Sequence, residues 1–317
     1  MNKKVIIILG QLADTQKRLG NKQRELAYKR AARSVAALTY ELAPPLPKIP
    51  GVGKHIGDII LDILTTGKSS ELERARDSSA IRGQIELAGL LGAGSAALTR
   101  WRAAGVETLA QLRVAVGDGV ITLNKMQKLG LAHYADLHKR IPRPEVAAIG
   151  AWVSMMAEPS MLCEIAGSYR RGAADSGDID IIITTNAGRA TAKPARECIF
   201  GNIAASPRFI DTISAGPERV TFLYKSMSGV VRQIDLLFIA RSSRAAALLY
   251  FTGSWEFNEA MRGLAKSRGF RLNQRGLFLD GRQINTPTEQ SIFARLGLRY
   301  VAPAGRVGPA ALSFLAE

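Results

Sequence analysis

The sequence predicts a multidomain protein with an all-α N-terminal half followed by an α+β half. Three observations predict this fold class. The chain has 317 residues, 47% of them hydrophobic, which is enough for more than one folded core. Apolar residues recur at helical spacing through the first 140 residues. From Leu162 onward, apolar runs such as DIDIIIT and VVRQIDLLFIA are typical of β-strands.

The first half reads as two helical domains, and the second half also divides in two. Four prolines between 44 and 50 interrupt the first helical region, and glycines break the second into short pieces. Pro142 and Pro144 mark the change to β-rich sequence. We therefore expect domains over 1–77, 78–141, 142–244 and 245–317.

The net charge indicates a polyanionic partner. Lys and Arg together number 43, against 27 Asp and Glu, for a formal charge of +16. Such an excess costs self-repulsion, which bound nucleic acid would relieve. An anionic membrane is the second candidate, but no basic amphipathic helix stands out. We expect a DNA-binding protein without a membrane partner.

Cysteine and histidine usage indicates a reducing compartment and no zinc site. Cys163 and Cys198 lie in different segments, as expected of two thiols rather than a disulfide framework. The three histidines show no zinc-ligand spacing. The apolar run at 5–9 is too short to span a bilayer. We expect a soluble, monomeric, intracellular protein, and a nucleus, an organelle, a bacterium and a virus-infected cell all remain open.

One sequence pattern occurs twice in the helical half. LPKIPGVGKHIGDII at 46–60 and ELAGLLGAGSAALTR at 86–100 share an apolar-x-Gly-apolar-Gly core that leads into a helix. Ordinary helix-turn-helix corners are the alternative interpretation, but two copies in a basic chain favour sequence-independent binding of the DNA backbone. The amides expected to face DNA phosphates belong to Gly51, Gly53, Gly92 and Gly94. The carbonyls that could hold a monovalent cation belong to Ile49, Val52, Leu90 and Ala93.

Three aspartates in apolar strands predict a divalent metal site. Asp178 and Asp180 are two residues apart, so both project from one face of a strand and repel each other unless a cation lies between them. Asp235 has the same setting in another apolar run. If the strands are neighbours, the three carboxylates can hold two Mg²⁺ ions, and carboxylates alone do not exclude Mn²⁺.

The segment before these aspartates predicts a phosphate-binding turn. Gly167 and Ser168 end a strand and open a turn whose amides and hydroxyl suit phosphate oxygens. Arg171 follows on the same turn and suits a triphosphate charge. Gly177 allows close backbone approach before the aspartate strand, and Arg170 is expected to be solvated.

These motifs together resemble the family X DNA polymerases of the nucleotidyltransferase superfold. GSYRRGAADSGDIDIIIT at 167–184 is similar to their palm motif, and RQIDL at 232–236 to the strand with the third metal ligand. YFTGSWEFNEAMR at 250–262 resembles the nucleotide-binding segment, and KRIPR at 139–143 the entry to the palm. TPTEQSIFARLGLRYVAPAGR at 286–306 looks like the closing thumb segment of lambda-like members, and no BRCT-like extension precedes these motifs.

The resemblance implies a fold and a role for each matching residue. It implies helix-hairpin-helix domains, the first of them lyase-like and the second fingers-type, then a nucleotidyltransferase palm and a small α+β thumb. Asp178, Asp180 and Asp235 would be catalytic metal ligands, and Asp235 would also accept the proton of the primer 3′-hydroxyl. The implied triphosphate contacts are Arg140, Ser168, Arg171 and Gly177. Tyr250, Phe251 and Gly253 would line the sugar and base pocket, with Asn258 and Arg262 on the minor-groove side of the nascent pair.

The chain departs from the family at several positions. In repair members a lysine in the helix after the first hairpin forms a Schiff base with a 5′-sugar phosphate, and this position falls on Ile59. We therefore expect no lyase activity or a very weak one, with Lys54 the nearest substitute amine. Gln233 stands where an arginine often precedes the third aspartate, and Trp255 could stack on the incoming base or simply be an exposed or core residue. The residues that still suit a 5′-phosphate pocket are Arg24, Tyr28, Lys48 and His55.

The function that these expectations favour is templated DNA synthesis in DNA repair, including base excision repair. The chain would fill short gaps, joining a dNTP to a primer 3′-hydroxyl on gapped or nicked DNA with a 5′-phosphate. A template-independent nucleotidyltransferase and a non-catalytic DNA-end scaffold are the alternatives. The Tyr250–Phe251 pair favours templated synthesis, because terminal transferases tend to carry Gly-Trp there.

Overall fold

The computed structural model describes residues 2–185 and 192–314, and the chain divides into two compact units, Met1–Tyr134 and Ala135–Glu317. The first unit is all-α and the second is α+β. The predicted fold class is thereby confirmed, while the finer division into four domains remains a prediction. No helix of the described residues is long and apolar enough to cross a bilayer.

The first unit consists of short helices joined by glycine and proline turns. Its elements are α1 (Lys3–Arg18), α2 (Lys22–Ala36), α3 (Lys54–Thr66), α4 (Ser70–Asp77), α5 (Ser79–Ala88), α6 (Ser95–Ala103), α7 (Leu109–Gly117) and α8 (Lys125–Ala132). The short helix α9 (Tyr134–Leu137) lies at the boundary.

Two apolar clusters form the cores of the first unit, one for each predicted helical domain. The inner faces of α1, α2 and α3 meet around Leu9, Tyr28 and Ile60. A second cluster forms around Trp101 and Leu112. Burial of these side chains is the main stabilising contribution, because each short helix alone would be marginal in water.

The second unit is built on a five-stranded sheet. The described strands of the whole unit are β1 (Ile141–Pro142), β2 (Leu162–Ile165), β3 (Asp175–Ser176), β4 (Ile179–Thr185), β5 (Phe209–Ala215), β6 (Arg219–Lys225), β7 (Val231–Ala240), β8 (Phe270–Asn273), β9 (Gly276–Leu279) and β10 (Arg282–Ile284). Its helices are α10 (Arg143–Met156), α11 (Gly167–Arg170), α12 (Ala192–Ala204), α13 (Arg244–Thr252), α14 (Trp255–Ser267) and α15 (Glu289–Arg295), with 3₁₀ turns at Arg241–Ser243, Pro303–Gly305 and Pro309–Ala311.

The order of the main sheet is β2-β4-β7-β6-β5, and β4 and β7 are its parallel pair. Both faces of β4 are buried, which explains its nearly unbroken apolar sequence. Ile181 and Ile183 pack in a cluster with residues of α10 and α12, whereas Ile182 packs in a cluster with residues of α13. The small sheet β10-β9-β8 packs with α14 and α15 around a third core of this unit.

Candidate functional site

The parallel pairing of β4 and β7 brings the predicted aspartates together. Asp180 and Asp235 are Cα partners in register, and Asp178 lies just before β4 begins. Alternation along β4 puts Asp180 on the face opposite to Ile181. Two apolar strands that pair in parallel therefore place three acidic residues, distant in sequence, at one edge of the second unit.

Burial and like charges raise the pKa of Asp180 to about 7, far above its usual range. Removal from water is the larger cause, and the carboxylates of Asp178 and Asp235 add to it. The pKa of Asp178 is also raised, by partial removal from water and by the Asp235 charge. The cluster therefore favours either a proton or a bound cation at neutral pH.

Asp235 has protein partners that the sequence analysis missed. Its carboxylate accepts from Arg219 Nε at 3.1 Å and from Arg219 Nη2 at 2.6 Å, and Thr221 Oγ1 also donates to it. Thr221 is the Cα partner of Asp235 on β6, and Arg219 lies two residues earlier on the same face. The missing arginine at Gln233 is thus compensated from the neighbouring strand. Gln233 itself lines a separate cavity of about 230 Å³ that Asp178 also borders.

The donor set fits a divalent cation in kind, because carboxylate oxygens are the ligands that Mg²⁺ prefers. Burial and neighbouring negative charges raise the pKa of Asp180, and a bound cation would offset both effects. Among residues 2–185 and 192–314, however, no three acidic, cysteine or histidine side chains are arranged around one ion position. The carboxylate of Asp235, which is 1% exposed, is bound to Arg219 instead.

A cavity of about 590 Å³ adjoins the aspartates. Every residue that the sequence analysis assigned to nucleotide binding lines it, together with two of the three aspartates and Arg262. These lining residues are Arg140, Ser168, Arg171, Gly177, Asp178, Asp180, Tyr250, Phe251, Gly253, Trp255, Asn258 and Arg262. Its volume is in the range of pockets that hold nucleotide-sized ligands.

The turn between β2 and β4 holds its polar groups through contacts within the protein. Arg171 Nη1 donates to the backbone carbonyl of Thr252 at 2.5 Å, and Ser168 Oγ donates to Ser176 Oγ at 2.8 Å. A Cβ at Gly253 would lie 3.1 Å from Arg171 Nη1, and the φ of Gly253 is +69°. Glycine at 253 thus allows the guanidinium to reach the backbone.

Arg140, another residue that lines the cavity, has an acidic partner. Its Nη2 lies 2.7 Å from Asp175 Oδ1, and both side chains are about half exposed. Asp175 is a third residue that the sequence analysis missed, after Arg219 and Thr221. An anionic ligand in the cavity would compete with Asp175 for Arg140.

Aromatic and amide side chains also line the cavity. The rings of Tyr250 and Phe251 meet edge to face at 5.1 Å. The Arg262 guanidinium lies 5.7 Å from the centroid of Tyr250, and Asn258 donates to the Tyr250 carbonyl. Trp255 is 54% exposed, which excludes the core interpretation and leaves it at the cavity rim.

The expectation of a solvated Arg170 is wrong. Arg170 forms two hydrogen bonds with Glu289, at 3.0 and 2.8 Å, and a third with Thr252 Oγ1 at 2.8 Å. Glu289 also pairs with Arg306, whose side chain is 0% exposed. Arg170 and Glu289 are 119 residues apart in sequence, so sequence patterns could not reveal that they pair. The network fixes the turn beside the cavity to α15.

The two predicted hairpins have the same local structure. Val52 N–H donates to the Ile49 carbonyl at 3.1 Å, and Ala93 N–H donates to the Leu90 carbonyl at 2.9 Å. Gly51 lies inside the first of these turns and Gly92 inside the second, and their φ values are +75° and +80°. Gly53 and Gly94 then occupy the N-cap positions of α3 and α6, which have no side-chain cap and no acidic residue in the first turn. Both helix N-termini can therefore attract an anion.

The residues assigned to a 5′-phosphate pocket divide into two kinds. Arg24 and Lys48 are exposed cations. Tyr28 is buried and donates to Glu71 Oε1 at 2.8 Å, and His55 Nε2 lies 3.0 Å from Glu71 Oε2. The pKa of Tyr28 is raised, first by burial and then by Glu71. Glu71 was not anticipated, and its charge opposes a phosphate beside Tyr28 and His55.

An apolar, buried residue occupies the position that the resemblance assigns to the Schiff-base lysine of repair members. Ile59 is 6% exposed and belongs to the core around Tyr28 and Ile60. Lys54 and His55 begin the same helix and are exposed.

Three family models match the chain in comparisons with known proteins. Residues 1–69 match a helix-hairpin-helix domain family, residues 140–241 the DNA polymerase beta palm, and residues 247–307 the DNA polymerase beta thumb. DNA polymerase lambda of Rattus norvegicus is 32% identical over 319 residues, which cover 90% of this chain and 53% of that protein.

Two further relatives are more distant. DNA polymerase lambda of Arabidopsis thaliana is 29% identical over 96% of this chain and 62% of its own length. DNA-directed DNA/RNA polymerase mu of Homo sapiens is 27% identical over 90% of this chain and 65% of its own length. The chain spans between half and two thirds of the length of these relatives. With the palm and thumb matches and the lambda relatives together, the chain belongs to the family X DNA polymerases.

Proposed function

We propose that this protein is a DNA-templated DNA polymerase that fills short gaps. The observation that carries the proposal is the register of Asp180 with Asp235, beside a cavity lined by phosphate-binding groups. The reaction joins the α-phosphorus of a dNTP to a primer 3′-hydroxyl and releases pyrophosphate. The relatives named DNA polymerase lambda support the same activity.

The cavity residues act by positioning. Arg171 and Arg140 bind the triphosphate, the latter in exchange for Asp175. The bulk of Tyr250 and Phe251 in the cavity lining should discourage a 2′-hydroxyl and so favour deoxynucleotides. Asn258 and Arg262 contact groups that every correct base pair offers in the minor groove, so they sense pair geometry rather than sequence.

Asp178, Asp180 and Asp235 would hold the divalent ions of the reaction, which supply charge neutralisation and a more acidic 3′-hydroxyl. Asp235 accepts the proton of this hydroxyl after its carboxylate has left Arg219. The choice between Mg²⁺ and Mn²⁺ does not follow from carboxylate ligands.

The DNA substrate is gapped or nicked and carries a 5′-phosphate. The two hairpins bind phosphates through backbone amides, with a monovalent cation at the carbonyls of Ile49, Val52, Leu90 and Ala93. Arg24, Lys48 and His55 bind the 5′-phosphate, and Ile59 leaves the sugar phosphate in place. The charge of +16 supports an affinity that falls steeply with salt.

Primer extension on a one-nucleotide gap, compared with the single-stranded primer alone, tests the proposal. Wild type should extend the gapped substrate with the complementary dNTP, and Asp235→Ala should abolish extension. The matched control is Asp211→Asn, which replaces an acidic residue on β5 of the same sheet and should keep wild-type activity. Equal extension of the single-stranded primer would instead indicate a template-independent enzyme.

A further inference from the structure

Arg143, the first residue of α10, holds the backbone of the phosphate-binding turn that follows β2. Its Nη1 donates to the backbone carbonyl of Tyr169 at 2.6 Å and to that of Ala173 at 3.3 Å. The guanidinium also lies 4.0 Å from the centroid of the Tyr169 ring. The backbone N–H of Arg143 donates to the carbonyl of Ala174 at 2.9 Å. One arginine therefore restrains this turn at its middle and at its end.

Arg143 makes these contacts without lining the cavity of the candidate active site. Ser168 and Arg171 of the turn line that cavity, whereas neither Arg143 nor Tyr169 is among the described residues that do. A carbonyl oxygen carries partial negative charge and would repel a phosphate if it turned toward the cavity. Because Arg143 binds the carbonyls of Tyr169 and Ala173, it keeps them from doing so.

The start of α10 is also fixed to the strand of the third aspartate. Glu145, two residues after Arg143, pairs with Arg232 at 2.7 Å, and Arg232 is 4% exposed. Arg232 lies on β7, three residues before Asp235, and donates to the Lys139 carbonyl at 2.9 Å. The first turn of α10 therefore links the phosphate-binding turn to the strand that carries Asp235.

The chemistry of these contacts requires arginine rather than any cation. A planar guanidinium can stack on an aromatic ring while it donates to two carbonyls, whereas an ammonium group is a compact point charge. We infer that Arg143 is a positioning residue for the triphosphate of the incoming nucleotide, because it fixes the turn from which Ser168 and Arg171 bind that group. The inference rests on the proposed function, since it takes the dNTP triphosphate as the ligand of the turn.

Calorimetric titration of the full chain with inorganic triphosphate in the presence of Mg²⁺ tests the inference. This probe has no base or sugar, so its Kd reports on phosphate binding alone and does not depend on catalysis. The variants are Arg143→Lys, which keeps the charge, and Arg143→Gln. The matched control is Arg196→Lys, which removes another half-buried arginine that donates to a backbone carbonyl, that of Gly216. Primer extension gives KM and kcat, and fluorescence anisotropy gives the Kd for gapped DNA.

We expect both Arg143 variants to raise the Kd for inorganic triphosphate, Arg143→Gln by about tenfold and Arg143→Lys by about fivefold. The KM for the complementary dNTP should rise by the same factors, while the Kd for gapped DNA stays within about twofold of wild type. Arg196→Lys should leave all three quantities unchanged. Tyr169→Leu, which removes the ring beneath the guanidinium, should weaken triphosphate binding in the same direction, and Tyr169→Phe should restore it.

Several results would overturn the inference. One is a Kd for inorganic triphosphate that neither Arg143 variant changes, even if the Tm falls, because Arg143 would then be a structural contact only. Another is an equal rise in Arg196→Lys, or an equal loss of affinity for gapped DNA. If an Arg143 variant does not fold, equal Kd values for Tyr169→Leu and Tyr169→Phe decide against the inference. Failure of wild type to extend a primer, with the triphosphate Kd still raised in Arg143→Lys, would instead refute the polymerase and keep the phosphate-positioning role.

Discussion

Asp180 on β4 and Asp235 on β7 face each other in register across a parallel strand pair. Parallel pairing fixes this relationship through the backbone, so neither carboxylate needs a loop to bring it near the other. The site is therefore placed by paired strands inside the five-stranded sheet, and substitutions there should act mainly on charge.

Asp180 should make stability depend on pH when divalent ions are absent. Its pKa of about 7 exceeds the unfolded value, so the folded state holds an extra proton between about pH 4 and 7. Stability is then highest below that window and falls as pH rises through it, by an amount on the order of 4 kcal/mol. Urea unfolding in EDTA at several pH values checks this, and Asp180→Asn should flatten the profile. A profile equally steep in that variant would contradict the prediction.

Arg219 should stabilise the ion-free site and compete with metal. Arg219→Gln leaves the buried carboxylate of Asp235 without its charged partner, which should cost about 1–3 kcal/mol without divalent ions. Added Mg²⁺ should raise the Tm of this variant more than that of wild type. Arg275→Gln, which breaks an exposed pair with Glu218, should show neither effect. Identical Mg²⁺ shifts in Arg219→Gln and wild type would refute the competition.

Loss of the Glu289 carboxylate should strongly lower the free energy of unfolding. Glu289→Ala leaves the buried guanidinium of Arg306 unpaired and releases Arg170, at a cost of about 3–5 kcal/mol. Chemical denaturation measures the loss of stability, and Glu218→Ala on the surface is the matched control. A change of less than about 1 kcal/mol would show that the network contributes little.

The chain should lack 5′-sugar-phosphate lyase activity. Borohydride trapping on incised abasic-site DNA should give no covalent complex, because the buried Ile59 has no amine to form an imine. Lys54→Ala serves to identify any residual product. A trapped adduct that disappears in Lys54→Ala would show that the exposed lysine substitutes for the missing one.

The negative charge of Glu71 should weaken the binding of a 5′-phosphate. Glu71→Gln removes a negative charge that contacts both Tyr28 and His55, so affinity for gapped DNA with a 5′-phosphate should rise by about fivefold. Fluorescence anisotropy at fixed salt measures this, and the same DNA with a 5′-hydroxyl should bind with unchanged affinity. An equal gain on both DNAs would mean that Glu71 acts on general charge only.

The fold class, the aspartates and the phosphate-binding turn follow from local sequence patterns, whereas Arg140 and the residues from Tyr250 to Arg262 were expected from the family resemblance. Alternating and continuous apolar runs predict β4 and β7, and the two-residue spacing predicts that Asp178 and Asp180 share a face. That β4 and β7 are neighbours, with Asp180 opposite Asp235, was a condition of the metal-site prediction that the structure meets. The two glycine hairpins are equally local, since Gly51 and Gly92 take the same positive φ.

Partners of the site residues are long-range and could not be predicted in this way. Arg219 reaches Asp235 only because β6 is the next strand of the sheet, and one strand sequence does not specify its neighbour. Glu289 meets Arg170 from a helix near the C-terminus. Each is an ordinary surface-type residue in sequence, and only tertiary packing makes it a charge partner.

An isoleucine packed into the core at residue 59 has a consequence for the order of events at a damaged site. If this chain inserts a nucleotide where the downstream strand still ends in a sugar remnant, the product cannot be sealed by a ligase. If the chain lacks a lyase, as we propose, a separate β-elimination catalyst would have to trim that end, before or after synthesis. The protein would then be suited to breaks whose downstream ends are already clean, or to work alongside an enzyme that cleans them.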